Sequence, residues 1–131
     1  MIRYQTTTEN ISPEMLKGGF CVGWRTPMTV ERHMQVLENS DYIVLAIDTE
    51  TGNVVGFINV LTDHVQAAFI PLLEVLPEYQ KQQIGSELVK RVLEHFKDLP
   101  SIDLMCDPDV KPFYAKLGMM PAEGMIVRNY S

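Results

Sequence analysis

Residues 77–96 read PEYQKQQIGSELVKRVLEHF. Ile84, Leu88, Val89, Val92 and Phe96 recur at helical spacing, so this stretch predicts an amphipathic helix. A helix start needs only one capping side chain. Here Gln80, Lys81, Gln82 and Gln83 form a polar run ahead of Ile84 and Gly85. Such a start leaves backbone N–H groups free, and free N–H groups at a helix N-terminus attract anions. The apolar run 65–75 leads into it, and a strand feeding such a helix is the arrangement in which a pyrophosphate commonly sits.

The elements that must position this helix fit one ordinary domain of 131 residues. Apolar residues make up 46% of the chain, enough for a core, and charged residues make up 21%, too few for disorder. A net charge of -6 argues against a nucleic-acid partner, because no basic face is available for phosphates. It is compatible with a cationic or amine substrate. Cys21 and Cys106 lie far apart, without CxxC or a nearby His pair, and read as small buried residues in a reducing compartment; no metal site is expected. The N-terminal MIRYQTTTEN lacks the apolar stretch of a signal peptide, and no run approaches the ~20 residues needed to cross a bilayer. The expectation is a cytoplasmic protein with no membrane partner.

Along the chain, residues 2–6 read as a first strand. Ser12 and Pro13 mark a helix start, as cap and first helical residue, and Gly18-Gly19 stops that helix early. A loop, 20–28, holds the single Trp. Thr29 caps a second helix with Val30, His33, Met34 and Leu37 on one face. Residues 42–48 and 54–61 form a hairpin around Thr51-Gly52-Asn53. The run 65–75 carries Pro71, which removes a ladder N–H, so an interruption or bulge is expected there. After the helix at 84–96 come a strand at 102–106, a helix at 110–117 ended by Gly118, and a closing strand at 125–130. The order is β-α-α-β-β-β-α-β-α-β, an α/β (α+β) domain spanning 1–131 with helices on the faces of a mixed sheet.

With these elements in order, the chain resembles the GNAT superfamily of N-acetyltransferases over nearly its whole length. Residues 73–79, LEVLPEY, resemble the family's fourth strand and its exit. QKQQIG at 80–85 resembles the pyrophosphate loop, Gln/Arg-x-x-Gly-x-Gly/Ala. PFYAKLGM at 112–119 resembles the Phe-Tyr-x-x-x-Gly-Phe segment of the following helix. The resemblance implies a mostly antiparallel sheet and acetyl-CoA as cosubstrate. Its pyrophosphate would be held by Gln80, Lys81, Gln82, Gln83, Ile84, Gly85 and Ser86, and its pantetheine would pair with the backbone of Leu73 and Val75. Cys106 and Asp107 would line the other side of a gap between splayed strands, which Pro71 helps to open. Gln83 stands where the pattern has its first glycine. It fits if its backbone stays helical and its side chain turns outward.

Acetyl transfer requires a neutral amine, a polarised carbonyl and a protonated or stabilised thiolate. Tyr114 matches the position where family members often place a tyrosine as acid toward the coenzyme A sulfur; packing in its helix is the other reading. A phenol of pKa ~10 can protonate a thiolate whose conjugate acid has a pKa of roughly 8–9. No base stands out, because Phe69 and Pro71 occupy the positions where some relatives carry Glu or His. Glu74, Asp107 and His33 are candidates, and so are a water relay or an amine arriving neutral. The resemblance puts the acceptor pocket at the 20–28 loop, where Trp24 and Arg25 could bind an apolar acceptor with a carboxylate. Trp24 packing the helices together and a solvated Arg25 are the alternatives.

The reading is direct acetyl transfer to a primary amine of a small molecule or peptide. A non-catalytic acyl-CoA-binding sensor is the alternative, favoured by the absent strand base and by Gln83. A nucleotide-binding α/β protein fits less well, because the central hairpin replaces repeated βα units. The closing strand, as an exposed edge, is compatible with a homodimer.

Overall fold

The computed structural model describes residues 1–129. Strand β1 (Ile2–Gln5) is followed by a single 3₁₀ turn, Pro13–Leu16, and by helix α1 (Val30–Asn39). The hairpin β2 (Tyr42–Asp48) and β3 (Val54–Thr62) leads into β4 (Ala67–Ile70) and β5 (Leu73–Val75). Helix α2 (Ile84–His95), strand β6 (Ser101–Leu104) and the short helix α3 (Lys111–Ala115) complete the order. Thr29 caps α1 as expected, its Oγ1 accepting the N–H of Arg32 at 3.1 Å.

Among the described residues the sheet runs β1-β2-β3-β4-β6, with β5 also on β3. All pairs are antiparallel except β4 with β6. The centre of the sheet is buried on both faces: Val44, Leu45, Phe57 and Ile58 have no exposed surface. That follows from near-continuous apolar strands covered on two sides. Gly56 and Phe57 point to opposite faces. A Cβ at Gly56 would stand 3.2 Å from Ile84 of α2, whereas the Phe57 ring meets His33 of α1 with centroids 4.3 Å apart. The two helices therefore cover opposite faces, and the lack of a side chain at Gly56 lets the start of α2 sit close to the sheet.

The break expected at Pro71 divides the 65–75 run into β4 and β5, both on the same edge of β3. Leu61 faces Phe69 of β4, and Phe57 faces Glu74 of β5. The buried Asn59 bridges the break: its backbone N–H bonds Leu72 O, and its side-chain oxygen accepts the Leu72 N–H at 3.0 Å. The break is thus satisfied without a continuous ladder. Among the described residues strand β6 pairs with β4 alone, and the edge of β5 away from β3 has no strand beside it.

Two elements differ from expectation. The first helix is only the 3₁₀ turn, and Ser12 makes no side-chain cap bond; Gly18 and Gly19 leave it no room to extend. The closing strand expected at 125–130 is absent across Met125–Asn129, where Met125 is 99% exposed; Tyr130 lies outside the described residues. A β-prone sequence forms a strand only where another strand supplies its ladder bonds.

Candidate active site

The unpaired edge of β5 opens into a cleft of about 920 Å³. One wall carries β5 with Leu73, Glu74 and Val75. The floor and one end are the start of α2, from Gln83 to Ser86. The facing wall is the exit of β6, with Met105, Cys106 and Asp107, backed by Phe113 and Tyr114 of α3. The cleft exists because β5 and β6 diverge where β4 ends, and Pro71 fixes that point.

The start of α2 is open toward this cleft. Gln83, its N-cap residue, makes no side-chain cap bond. The first N–H to find an acceptor within the helix is that of Glu87, on Gln83 O at 3.0 Å. The N–H groups of Ile84, Gly85 and Ser86 precede the first possible intrahelical acceptor, so they are available to an anion. Lys81 and Gln83 both have left-handed backbones, at φ 69° and 66°. Left-handed residues near a helix start turn successive N–H groups into an anion-binding concavity. This corrects the expectation that Gln83 would keep a helical backbone: it takes the conformation glycine favours, and its side chain bears the strain. A Cβ at Gly85 would stand 3.5 Å from the Phe113 ring, in ordinary contact, so α2 and α3 approach closely at this point.

Tyr114 and Phe113 meet edge to face, with centroids 4.9 Å apart. Burial raises the Tyr114 pKa, and Cys106 on the adjoining wall adds to the rise. Tyr114 therefore keeps its proton at neutral pH, which suits a donor. Glu74 is half-buried and its pKa is raised by that burial, against the hydrogen bond it accepts from the Cys21 N–H at 2.9 Å. Strand alternation puts Glu74 on the opposite face from Leu73 and Val75. All three nevertheless reach the cleft, because it opens at the strand's edge.

Of the residues singled out from the sequence, the cleft brings together Leu73, Val75, Gln80, Lys81, Gln83, Ile84, Gly85, Ser86, Asp107, Tyr114, Trp24 and Glu74. Gln82 and Arg25 are exposed and stand outside its lining. His33 is 2% exposed, packed between the rings of Phe20 and Phe57, and its Nε2 has no hydrogen-bond partner. Burial lowers its pKa to about 4, so it is a neutral core residue, and it stands outside the cleft lining.

Two contributors escaped the sequence reading. The Tyr79 hydroxyl donates to Asp48 Oδ2, tying the approach to the 80–86 loop to the end of β2. The backbone N–H of Cys21 holds Glu74 from 53 positions away. Neither contact has a local sequence signature. Among the described residues no three His, Cys, Asp or Glu side chains gather as a metal site, and no helix is long and apolar enough to cross a membrane.

A mixed, mostly antiparallel sheet that splays beside an uncapped helix start defines an acetyltransferase architecture, and the comparisons agree. The model of the Acetyltransferase (GNAT) family matches residues 11–119, and the chain belongs to that family. A solved structure of a candidate acetyltransferase from Deinococcus radiodurans R1 is 44% identical, superposes with a TM-score of 0.92, and matches 98% of this chain and 88% of its own. A GNAT family acetyltransferase of Streptococcus pneumoniae TIGR4 is 30% identical, with a TM-score of 0.74 and the full length of both chains covered. A curated relative, an uncharacterized N-acetyltransferase of Pyropia yezoensis, is 27% identical over 103 residues. That match takes in 76% of this chain and 59% of the relative, so the chain spans under two thirds of the relative's length.

Proposed function

We propose that this protein is an acetyl-CoA-dependent N-acetyltransferase that passes the acetyl group directly to a primary amine. The observation that carries the reading is the uncapped start of α2 opening into the β5–β6 gap, with Tyr114 on the far wall. In this reading the N–H groups of residues 81–86 receive the pyrophosphate of coenzyme A. The pantetheine lies along the free edge of β5, where the backbone of Leu73 and Val75 can pair with its amides.

The acetyl carbonyl then lies in the gap, between Glu74 on one side and Tyr114 on the other. The ammonium form of the acceptor gives a proton to Glu74. Its nitrogen lone pair attacks the carbonyl carbon, the carbon–sulfur bond breaks, and the sulfur takes the Tyr114 proton. The nitrogen, which keeps one extra proton after the attack, gives it to the Tyr114 phenolate, and Glu74 releases its proton to solvent, so one proton leaves overall. The raised pKa of each group supports its part: a carboxylate less reluctant to accept a proton, and a phenol that holds its own until a thiolate forms.

The reading is tested by thermal unfolding with coenzyme A and with NAD. Coenzyme A raises the melting temperature and NAD does not. Equal stabilisation by both, or by neither, contradicts the assignment.

A further inference from the structure

The acceptor end of the cleft is a hydrogen-bonded unit. Cys21 donates its N–H to both oxygens of Glu74, at 2.9 and 3.2 Å. Its carbonyl accepts the N–H of Trp24 at 3.2 Å. Cys21 is buried and takes a left-handed backbone, φ 66°, which turns both of its peptide groups to these partners. The same loop presses on the strand end at Gly18, where a Cβ would collide with Leu76 Cδ1. A carboxylate and an indole, distant in sequence, are thereby fixed in one wall of the cleft.

Beyond Glu74, this end is lined by uncharged residues: Trp24, Ile70, Pro71 and Leu72. Among the described residues the cations lining the cleft are Lys81, in the loop before α2, and Lys116, just after α3. Among the described residues Glu74 forms no salt bridge, and no cation contributes to its ionisation. Arg25 lies outside the lining.

Building on the function proposed above, we infer that the acceptor is a primary ammonium carried on an uncharged, apolar or aromatic body, and that the site rejects acceptors bearing a carboxylate beside the amine. The ammonium pairs with Glu74 and lies against the electron-rich face of Trp24, while the body fills the apolar end. A carboxylate on the acceptor would face Glu74 in a partly desolvated site, where Glu74 has no salt-bridge partner among the described residues, and like charges there are strongly unfavourable. In this reading the acceptor carries no carboxylate for Arg25 to hold, unlike one of the two roles weighed for Arg25 from the sequence.

The test uses 2-phenylethylamine and phenylalanine, which share a body and differ by the carboxylate. Trp24 is the only tryptophan of the chain, so its fluorescence reports occupancy of this end. With coenzyme A present, 2-phenylethylamine gives a saturable change, and phenylalanine binds ~10- to 100-fold more weakly or not at all. In Glu74→Gln, which can still accept the Cys21 N–H, the preference collapses to within about 3-fold, while the rise in melting temperature caused by coenzyme A is kept. Equal binding of the two ligands, binding of neither, or an unchanged preference in Glu74→Gln overturns the inference. The coenzyme A thermal shift is read separately in the same samples. Its presence alongside any of those results sinks the acceptor assignment alone, and its absence sinks the acetyltransferase reading as well.

Discussion

Lys81 and Gln83, one residue apart, both take the left-handed backbone at the threshold of α2, at φ 69° and 66°. Neither residue type favours it, and each pays steric strain of about 1 kcal/mol or more for an L side chain. Strain at this point makes sense if the loop's N–H groups must converge on a ligand.

Replacing Gln83 by glycine should therefore relieve strain without disturbing the loop. Gln83→Gly is expected to bind coenzyme A as tightly as the parent or up to ~10-fold more tightly, with stability changed by under about 1 kcal/mol. Calorimetric titration checks it. A large loss of affinity would identify the Gln83 side chain as a ligand contact.

Tyr114→Phe keeps the ring that packs on Phe113 and removes only the hydroxyl. Affinity for coenzyme A should barely change, whereas the chemical step slows by roughly 10- to 1000-fold. Because burial and Cys106 raise the Tyr114 pKa, a high-pH limb due to its ionisation lies above the ordinary phenol value and disappears in the mutant. Single-turnover rates across pH decide this. Full turnover with an unchanged profile would make Tyr114 a packing residue.

The fold was legible where periodicity and turn chemistry act locally. The α2 stripe, the Thr29 cap, the hairpin around Gly52 and the break at Pro71 each follow from residues within a turn or two of one another. What depends on distant partners was not. The Cys21–Glu74 bond joins a loop to a strand through a backbone N–H, which no side-chain pattern announces. His33 has helical spacing on an apolar face, and the sequence does not tell whether that face meets a cleft or two phenylalanines. Residues 125–129 have strand composition and no ladder partner among the described residues.

His33 should make stability depend on pH. Its folded pKa, about 4, lies below the unfolded value of 6.5, so the unfolded chain binds the extra proton between them. Stability is complete above pH 6.5 and falls as pH drops toward 4, by on the order of 3 kcal/mol. His33→Leu should flatten this part of the profile in denaturant melts. A variant with the parent's slope between those values would exclude His33 as its source.

The Tyr79–Asp48 bond anchors the turn that precedes the 80–86 loop. Tyr79→Phe should lower the melting temperature and weaken coenzyme A binding by roughly 3- to 10-fold, because the loop is less well preorganised. Asp48 is held below the usual carboxylate range first by the Tyr79 hydroxyl and then by the Glu50 N–H. Its contribution is present above the unfolded carboxylate pKa and is lost as pH falls through the lower folded value. In Tyr79→Phe that acid sensitivity should shrink. An unchanged melting temperature and affinity would show that the contact anchors nothing.

Release of coenzyme A thiol from acetyl-CoA, measured with and without a panel of primary amines, tests the central claim most directly. The account predicts slow release alone and release stimulated by at least about 10-fold with an accepted amine, matched mole for mole by N-acetylated product. Tight coenzyme A binding with no amine-stimulated release and no acetylated product across the panel would contradict it, and would leave an acyl-CoA-binding module in place of an enzyme.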